Sequence, residues 1–318
     1  MPVPREQFLS DVWRDGIFTN KVLFCTGGAG TICSIQVRAF VALGGNAYII
    51  GRNVEKTEQM AKDLETARAG SRVIGHGNVD VRNAVALKEA ADRCAKELGG
   101  IDFAIAGAAG NFLAPMAQLS ANAFRTVMEI DTLGSYHTAK AVLPYLITSA
   151  KKYPNTGKAT AKAGGTGGRM IFISASFHFK GFPLQAHVMA AKAAVDQISH
   201  SVAIEYGPYG ITSNVITPGP IAGTEGMERL SKSDEESAKL SKKRVPVGRY
   251  GEVKEIADAT IYLFSEAGSY VNGNILVVDG GQWRTTGATE GKGWEYPDFL
   301  LSGKPVEGVK SGKREAKM

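Results

Sequence analysis

Cysteine is scarce in this chain, which has three among 318 residues, at Cys25, Cys33 and Cys94. They are odd in number and lack the paired spacing of a zinc site, so the sequence predicts neither a disulfide framework nor a metal centre. A chain without structural disulfides is typical of a reducing compartment. No apolar run reaches the roughly 18 residues of a membrane-spanning helix, and the first residues lack the apolar core of a secretory signal.

Basic residues exceed acidic ones by six, but they do not form a nucleic-acid-binding stripe. They fall in short clusters without interleaved aromatic residues, at Lys151–Lys152, Lys242–Arg244 and Lys313–Arg314. We therefore expect no nucleic-acid partner. A positive field also suits a cofactor or substrate that carries several phosphates.

Short β-branched runs alternate with helical patterns from Lys21 to about Gly281. Between the first two runs, for example, Ile32, Ile35 and Ala39 recur at the spacing of one helix face. The alternation predicts an α/β fold, a Rossmann-type doubly wound parallel sheet of about seven strands with helices on both faces. The predicted strands are Lys21–Thr26, Asn46–Ile50, Ser71–Val79, Ile101–Ala106, Arg169–Ser174, Ile211–Thr217 and Asn274–Asp279.

We predict a single dinucleotide-binding catalytic domain over residues 1–285 and a tail over 286–318. Residues 151–168 are rich in Lys, Ala, Gly and Thr without apolar periodicity, which predicts a surface insertion. The last three residues, Ala316, Lys317 and Met318, are a conservative variant of the Ser-Lys-Leu peroxisomal address. They predict recognition by the peroxisomal import receptor and localisation in the peroxisomal matrix.

A glycine-rich turn follows the first predicted strand and precedes a helix. Glycines in this position let the backbone approach a pyrophosphate, which then lies at the helix N-terminus. A turn that merely closes a strand–helix unit is the alternative, but the following second strand favours a dinucleotide site. The predicted cofactor contacts in this turn are Thr26, Gly27, Gly28, Gly30, Thr31 and Ile32.

Arg52 comes directly after the second predicted strand. An acidic residue there would bond the ribose 2′-hydroxyl of NAD, whereas an arginine suits the 2′-phosphate of NADP. A solvated arginine at a strand end is the alternative reading. The position favours NADPH as the cofactor.

Four segments share the order and spacing of one enzyme family over roughly residues 20–282. They are the glycine-rich turn, the Lys192 helix, the segment Ile216–Pro220, and Asp279–Gly281. The chain resembles the short-chain dehydrogenase/reductase family, although Thr31 and Cys33 replace the last two glycines of its TGxxxGxG fingerprint. The resemblance implies that Lys192 holds the nicotinamide ribose. It also implies cofactor contacts from Asp80, at the adenine, and from Pro218, Gly219, Ile221 and Thr224.

The tyrosine that this family places four residues before the lysine is absent, because Val188 occupies its position. Valine cannot do acid–base chemistry. Ala175 likewise stands where the family carries a serine, and His187 is interpreted as structural. Two readings remain open: a non-catalytic NADP-binding scaffold, or a reductase whose product needs no proton on an alcohol oxygen.

Further segments narrow the resemblance to one branch of the family. Ala108–Phe112 follows the fourth strand, Asp131 stands three residues before Gly134, and Pro218–Gly226 reads Pro-Gly-Pro-Ile-Ala-Gly-Thr-Glu-Gly. Together with a lysine that lacks its tyrosine, these resemble the peroxisomal 2,4-dienoyl-CoA reductases. The resemblance implies NADPH-dependent reduction of 2,4-dienoyl-CoA to 3-enoyl-CoA in the auxiliary β-oxidation of unsaturated fatty acids. A homodimer or homotetramer is expected by analogy alone.

That reaction explains why a tyrosine is not needed. Hydride adds to the distal diene carbon, negative charge spreads to the thioester oxygen, and the proton goes to the α carbon. We expect Asp131 to deliver this proton, directly or through a water, and Asn111 to be a polar donor near the substrate. Lys192 positions the cofactor. Another acyl-thioester or carbonyl reductase of the same fold remains the alternative.

Coenzyme A carries phosphates, so cations are expected at the mouth of the site. The resemblance implies Arg82 and Arg229 as phosphate contacts, and Arg52 is expected to serve both cofactor and substrate. The other predicted substrate contacts are Phe112, which lines the acyl channel, and Ser120. Surface charge is the alternative reading of the three arginines.

Overall fold

A parallel sheet organises the protein. The structure is a computed structural model that describes residues 3–157, 166–224, 227 and 245–285. Seven strands are arranged in the order 3-2-1-4-5-6-7, and every neighbouring pair is parallel. The strands are β1 Val22–Thr26, β2 Asn46–Ile50, β3 Val73–His76, β4 Phe103–Ala106, β5 Arg169–Ile173, β6 Thr212–Pro218 and β7 Ile275–Val278. The predicted fold class is confirmed.

Helices cover both faces of the sheet. They are α1 Thr31–Ala42, α2 Val54–Glu65, α3 Ala84–Leu98, α4 Ala121–Val127, α5 Gly134–Lys152, α6 Ala186–Tyr206 and α7 Val253–Phe264. One core cluster joins the sheet to α1, α2 and α7, and a second joins it to α3, α5 and α6. Among the described residues, no helix combines the length and apolar character needed to cross a bilayer.

The central strands are apolar on both faces because each face meets a layer of helices. In β1, Leu23 and Cys25 belong to one core, whereas Val22 and Phe24 belong to the other. This alternation follows from the two-residue period of a strand. Burial on both faces is the usual situation for parallel sheets.

The chain reverses its direction of winding between β1 and β4. β1 pairs with β2 on one side and with β4 on the other. The helices that follow β1 and β4 lie on opposite faces, so a crevice opens beyond the carboxyl ends of these two strands. Ligands of open α/β sheets bind at such a switch point.

The start of α1 differs from the starts of α2 and α3. The Asn53 side chain caps α2 by accepting a bond from Lys56 N, and Asn83 caps α3 in the same way. α1 begins after Gly30, and no side chain caps it. Its first backbone N–H groups are therefore left for another acceptor, as at an anion site.

Several predicted bounds were wrong. β3 ends at His76 rather than Val79, because Asn78 takes a left-handed φ of 57° and turns the chain away. β5 ends at Ile173, one residue before the predicted end at Ser174, and a 3₁₀ helix begins at Ser176.

The segment 151–168 is only partly on the surface. α5 continues to Lys152, and Thr166, Gly167 and Gly168 are buried rather than exposed. The buried guanidinium of Arg169 donates to Thr166 Oγ1, which draws this end of the segment inward. Residues 158–165 lie outside the described part of the chain, as does the tail from 286.

Candidate active site

Asp131 lies in a π-helical turn, Met128–Leu133, that joins α4 to α5. A π-helical turn adds one residue to a helix and is frequent at functional sites. The Asp131 side chain is 0% exposed. Its Oδ1 accepts a 2.7 Å hydrogen bond from Gly110 N, at the loop that follows β4.

Lys192 lies beside the other carboxylate oxygen. Its Nζ lies 3.1 Å from Asp131 Oδ2 and donates a 2.9 Å bond to Ile173 O at the end of β5. The distance to Oδ2 is that of an ion pair, but Oδ2 accepts no hydrogen bond of normal geometry from the described residues. One carboxylate oxygen therefore remains available to a water or a substrate proton.

The position of the absent tyrosine forms an apolar wall. Val188 is 2% exposed and packs with Val127 and Ala191, against Phe112 and Phe177. Among the described residues of the Val188 cluster, none carries a hydroxyl in place of the missing phenol.

Asn111 lies in the loop that bonds Asp131. Its Oδ1 is buried and has no hydrogen-bond partner among the described residues. The same holds for Asp131 Oδ2, Ser174 Oγ and Thr217 Oγ1, at or just beyond the carboxyl ends of the strands. Buried polar atoms are nearly always bonded, so these four atoms are candidate contacts for a ligand or an ordered water.

His187 lies one residue before Val188 and is fully buried. Its Nε2 lies 3.0 Å from Phe112 O, and its ring stacks on the Phe112 ring with centroids 4.2 Å apart. Burial lowers the pKa of His187, and the nearby Phe112 carbonyl and Asp131 carboxylate oppose that shift. His187 was predicted to be structural, and the structure adds a contact with the loop that carries Asn111.

The glycine-rich turn forms a cradle that side chains would fill. Gly27 has a φ of 69°, and a Cβ on Gly28 would lie 2.5 Å from Ile49 Cβ. Thr26 Oγ1 accepts a bond from Gly107 N, which ties the turn to β4. Thr31 and Ile32 are the first two residues of α1, at its uncapped end.

Cys33 is accommodated by a glycine on the neighbouring strand. A Cβ on Gly107 would lie 2.2 Å from Cys33 Sγ. Cys33 stands in α1 where the family fingerprint has its last glycine. The room for its side chain comes from the absence of a side chain at Gly107, just after β4.

Asp80 and Arg82 form a bidentate ion pair after β3. Arg82 Nη2 donates to Asp80 Oδ2 at 2.6 Å, and Nε lies 3.0 Å from both oxygens. These bonds hold the pKa of Asp80 below its usual value, and the charge of Arg52 adds to the effect. An open groove of about 600 Å³ beside them is lined by Asp80, Arg82, Asn83, Ala84, Val85, Glu129 and Leu133.

The segment after β6 passes close to the end of β7. A Cβ on Gly219 would lie 2.4 Å from Asp279 Cβ, so only glycine fits there. Pro218 ends β6, Ile221 is buried, and Thr224 Oγ1 donates to Ile221 O at 2.9 Å. This segment borders the same end of the sheet.

Ser120 and Arg229 are the remaining predicted substrate contacts. Ser120 caps α4, where its Oγ accepts a 3.1 Å bond from Ala123 N. Its hydroxyl proton is not used by that bond. Arg229 lies outside the described residues.

Comparison with known proteins identifies the family. Residues 28–282 match a family model described as Enoyl-(Acyl carrier protein) reductase. The peroxisomal (3E)-enoyl-CoA-producing 2,4-dienoyl-CoA reductase of Saccharomyces cerevisiae is 46% identical over 272 residues, which cover 85% of this chain and 87% of that protein. The chain belongs to the short-chain dehydrogenase/reductase family.

Two further relatives place the chain within this family. The peroxisomal (3E)-enoyl-CoA-producing 2,4-dienoyl-CoA reductase of Danio rerio is 38% identical, over 86% of this chain and 85% of that protein. The crystal structure of a short-chain dehydrogenase from Bacillus anthracis is 30% identical, with a TM-score of 0.68, over 83% and 96% of the chains. The predicted resemblance to the peroxisomal 2,4-dienoyl-CoA reductase branch is confirmed.

As a member of the short-chain dehydrogenase/reductase family, the protein takes a nicotinamide cofactor. The cradle at Gly27 and Gly28 and the uncapped start of α1 fit the pyrophosphate of such a cofactor. Lys192 reaches from α6 to the carboxyl end of β5, where its Nζ donates to Ile173 O. Of the site residues predicted from sequence, Asp131 and Lys192 are brought within 3.1 Å of each other, and Gly219 lies against Asp279.

Sequence reasoning missed two parts of the site. The first is the Gly110 N–H that holds Asp131, which no side-chain pattern reveals. The second is the contact of His187 with Phe112. The one available signal was a histidine five residues before Lys192 on a helix that was already assigned to the site.

Proposed function

We propose that the protein is an NADPH-dependent 2,4-dienoyl-CoA reductase that forms a 3-enoyl-CoA. Relatives at 46% and 38% identity carry this activity in their names. The observation that carries the proposal is the buried Asp131–Lys192 pair beside Val188, in a site without the family's tyrosine. Such a site suits a product in which the proton goes to carbon.

When a 2,4-dienoyl thioester accepts hydride, the negative charge that forms can reach an oxygen far from the carbon that is reduced. The chemistry supplied by the bound reduced nicotinamide is hydride transfer to the distal diene carbon. The charge then spreads through the conjugated chain to the thioester oxygen. The protein has to stabilise that oxygen and protonate the α carbon, and neither task requires an acid beside an alcohol oxygen.

Asp131 is assigned to the delivery of the proton that the α carbon receives. Its Oδ1 is fixed by Gly110 N, so Oδ2 is the oxygen that is free to bind an ordered water. Lys192, at 3.1 Å, keeps a cation beside that oxygen. We assign Asp131 as the group that holds and orients the water from which the α carbon receives its proton.

Asn111 supplies the donor for the thioester oxygen. Its Nδ2 is the atom that can donate to that oxygen, whereas the buried and unpartnered Oδ1 can only accept, for example from an ordered water. One preorganised donor at such an oxyanion is worth about 3 kcal/mol in the transition state. Phe112 and Val188 contribute apolar surface to the acyl channel.

Cations at the edge of the crevice select the cofactor and the thioester. Arg52 is exposed at the end of β2, where it suits the 2′-phosphate of NADPH. We assign Asp80 to the adenine, and Pro218, Gly219, Ile221 and Thr224 to the nicotinamide side. Arg52, Arg82 and Arg229 with Ser120 are assigned to coenzyme A.

The relatives named above are peroxisomal enzymes, which supports a peroxisomal location. We place the protein in the matrix, with residues 1–285 as one catalytic domain. The last three residues act as the address for the import receptor. A homodimer or homotetramer remains part of the proposal.

The proposal is tested by following NADPH absorbance when the protein meets 2,4-hexadienoyl-CoA, with NADH in parallel. Crotonyl-CoA serves as the matched thioester without the second double bond. Rapid oxidation with the diene and slow oxidation with crotonyl-CoA are expected, with NADPH preferred. Equal turnover of crotonyl-CoA would indicate an enoyl reductase, and NADPH binding without turnover of any acyl-CoA would indicate a scaffold.

A further inference from the structure

The loop that carries Asn111 is fixed on both sides of that residue. On one side, Gly110 N donates to Asp131 Oδ1 at 2.7 Å. On the other, Phe112 O lies 3.0 Å from His187 Nε2. Asn111 is the single residue between these two fixed points, so its backbone direction depends on both of them.

The contact with His187 has two components. The carbonyl of Phe112 can only accept, so Nε2 carries the proton and donates it. The two rings also stack, with centroids 4.2 Å apart and planes 21° from parallel. His187 is 0% exposed, and its Nδ1 has no partner among the described residues. A neutral ring with its proton on Nε2 satisfies all of these contacts.

α6 is held in place without His187. Lys192 Nζ donates to Ile173 O at 2.9 Å, and Ala191 O accepts a 3.3 Å bond from Thr132 Oγ1. Val188 and Ala191 pack in an apolar cluster with Val127. Removing the imidazole therefore affects the Asn111 loop more than it affects the helix.

We propose that His187 is a positioning residue that acts through Asn111, holding its amide towards the thioester oxygen. The inference rests on the proposed donor role of Asn111. The imidazole does not touch the reacting atoms in this account. It fixes the Phe112 carbonyl by a hydrogen bond and the Phe112 ring by stacking, and so limits the directions that the preceding amide can take.

Substitutions at position 187 separate the two components. His187→Gln keeps a donor for Phe112 O without the ring, and His187→Phe keeps the ring without the donor. His187→Ala removes both. Ser199→Ala is the matched control, because it removes a buried 2.9 Å bond to Ser213 Oγ from the same helix, away from the Asn111 loop.

The test is a double-variant cycle of His187→Ala with Asn111→Ala, read as kcat and KM for 2,4-hexadienoyl-CoA and as NADPH affinity from fluorescence. We expect His187→Ala to lower kcat about tenfold to a hundredfold, with KM and NADPH affinity changed by less than about threefold. In the Asn111→Ala background the same change should lower kcat by less than about twofold. His187→Gln should recover much of the loss, and Ser199→Ala should leave kcat unchanged.

Two results would overturn the inference while leaving the proposed reaction intact. One is a double variant whose loss of kcat equals the product of the losses in the two single variants, which would mean that the two residues act independently. The other is a loss that appears in KM or NADPH affinity instead of kcat. If His187→Ala does not fold, His187→Gln and His187→Phe are each combined with Asn111→Ala and measured in the same way. Wild-type turnover of the diene tests the proposed function separately.

Discussion

Lys192 Nζ lies 3.1 Å from Asp131 Oδ2, and the two side chains are 7% and 0% exposed. α6 supplies the lysine, and a π-helical turn between α4 and α5 supplies the carboxylate. Val188, at the position of the family's tyrosine, lies one turn before Lys192 on the same helix. Removing one member of a buried pair leaves the other charge uncompensated.

Replacing Asp131 by Asn tests the carboxylate. The amide keeps the size of the side chain and can still accept from Gly110 N, but it cannot hold a water as an anion does. We expect kcat to fall about a hundredfold or more, with NADPH affinity near that of the wild type. Steady-state kinetics with 2,4-hexadienoyl-CoA and fluorescence titration of NADPH give both values.

The control for Asp131→Asn is Asp63→Asn, which removes a carboxylate that pairs with the buried Arg38 away from the site. This control should lower stability without lowering kcat. An Asp131→Asn variant with near-normal turnover would remove Asp131 from the proton step.

Val188→Tyr tests whether the apolar wall has room for the family's phenol. Val188 is 2% exposed and contacts Val127 and Ala191. Adding a ring to a filled core typically costs 1–3 kcal/mol, so we expect a destabilisation of about that size and a loss of dienoyl-CoA turnover. Thermal unfolding and kinetics measure the two effects, with Val188→Ile as the conservative control. A stable variant with raised turnover would mean that the site retains the family's original chemistry.

Gly107→Ala tests the compensation between Gly107 and Cys33. The added methyl would lie 2.2 Å from Cys33 Sγ, so α1 has to shift relative to β4. We expect lower thermal stability and weaker NADPH binding, since the first turn of α1 forms the phosphate cradle. The double variant Cys33→Gly, Gly107→Ala should bind NADPH more tightly than Gly107→Ala alone. Equal binding by the two would show that the sulfur–glycine contact does not set the position of α1.

Arg52→Asp tests the choice of cofactor. Arg52 follows β2 and is exposed, so the substitution should not disturb the core. Loss of the cation and the presence of a carboxylate disfavour a 2′-phosphate and favour a 2′-hydroxyl. We expect kcat/KM for NADPH to fall, and the ratio of kcat/KM for NADPH to kcat/KM for NADH to fall with it. Arg249→Gln, at a surface ion pair with Glu255, is the control. An unchanged NADPH-to-NADH ratio would leave the 2′-phosphate without its assigned partner.

The sheet could be predicted from sequence because its strands are apolar on both faces and alternate with helical patterns. Six of the seven strands lie within about two residues of their predicted ends, whereas β3 was extended too far because Asn78 gives no apolar signal for its left-handed turn. Because the strands were predicted to be parallel, Lys192 and the glycine-rich turn could also be predicted to lie at the same edge of the sheet.

The geometry around Asp131 could not be predicted from the residues. A π-helical turn has no sequence period of its own, so nothing in Met128–Leu133 indicates that Asp131 points towards Lys192. Likewise, the Gly110 N–H and the Phe112 carbonyl are backbone groups that every residue carries. Their roles emerge only when the loop, the π-helical turn and α6 are brought together.

The central claim is that the α carbon, and not an oxygen, receives the proton. The most direct measurement is reduction of 2,4-hexadienoyl-CoA by NADPH in deuterated water, with the product analysed by NMR. The expected product is a 3-enoyl-CoA that carries one solvent deuterium at the carbon next to the thioester. A 2-enoyl product with its solvent deuterium farther along the chain would show that the proton goes to a different carbon.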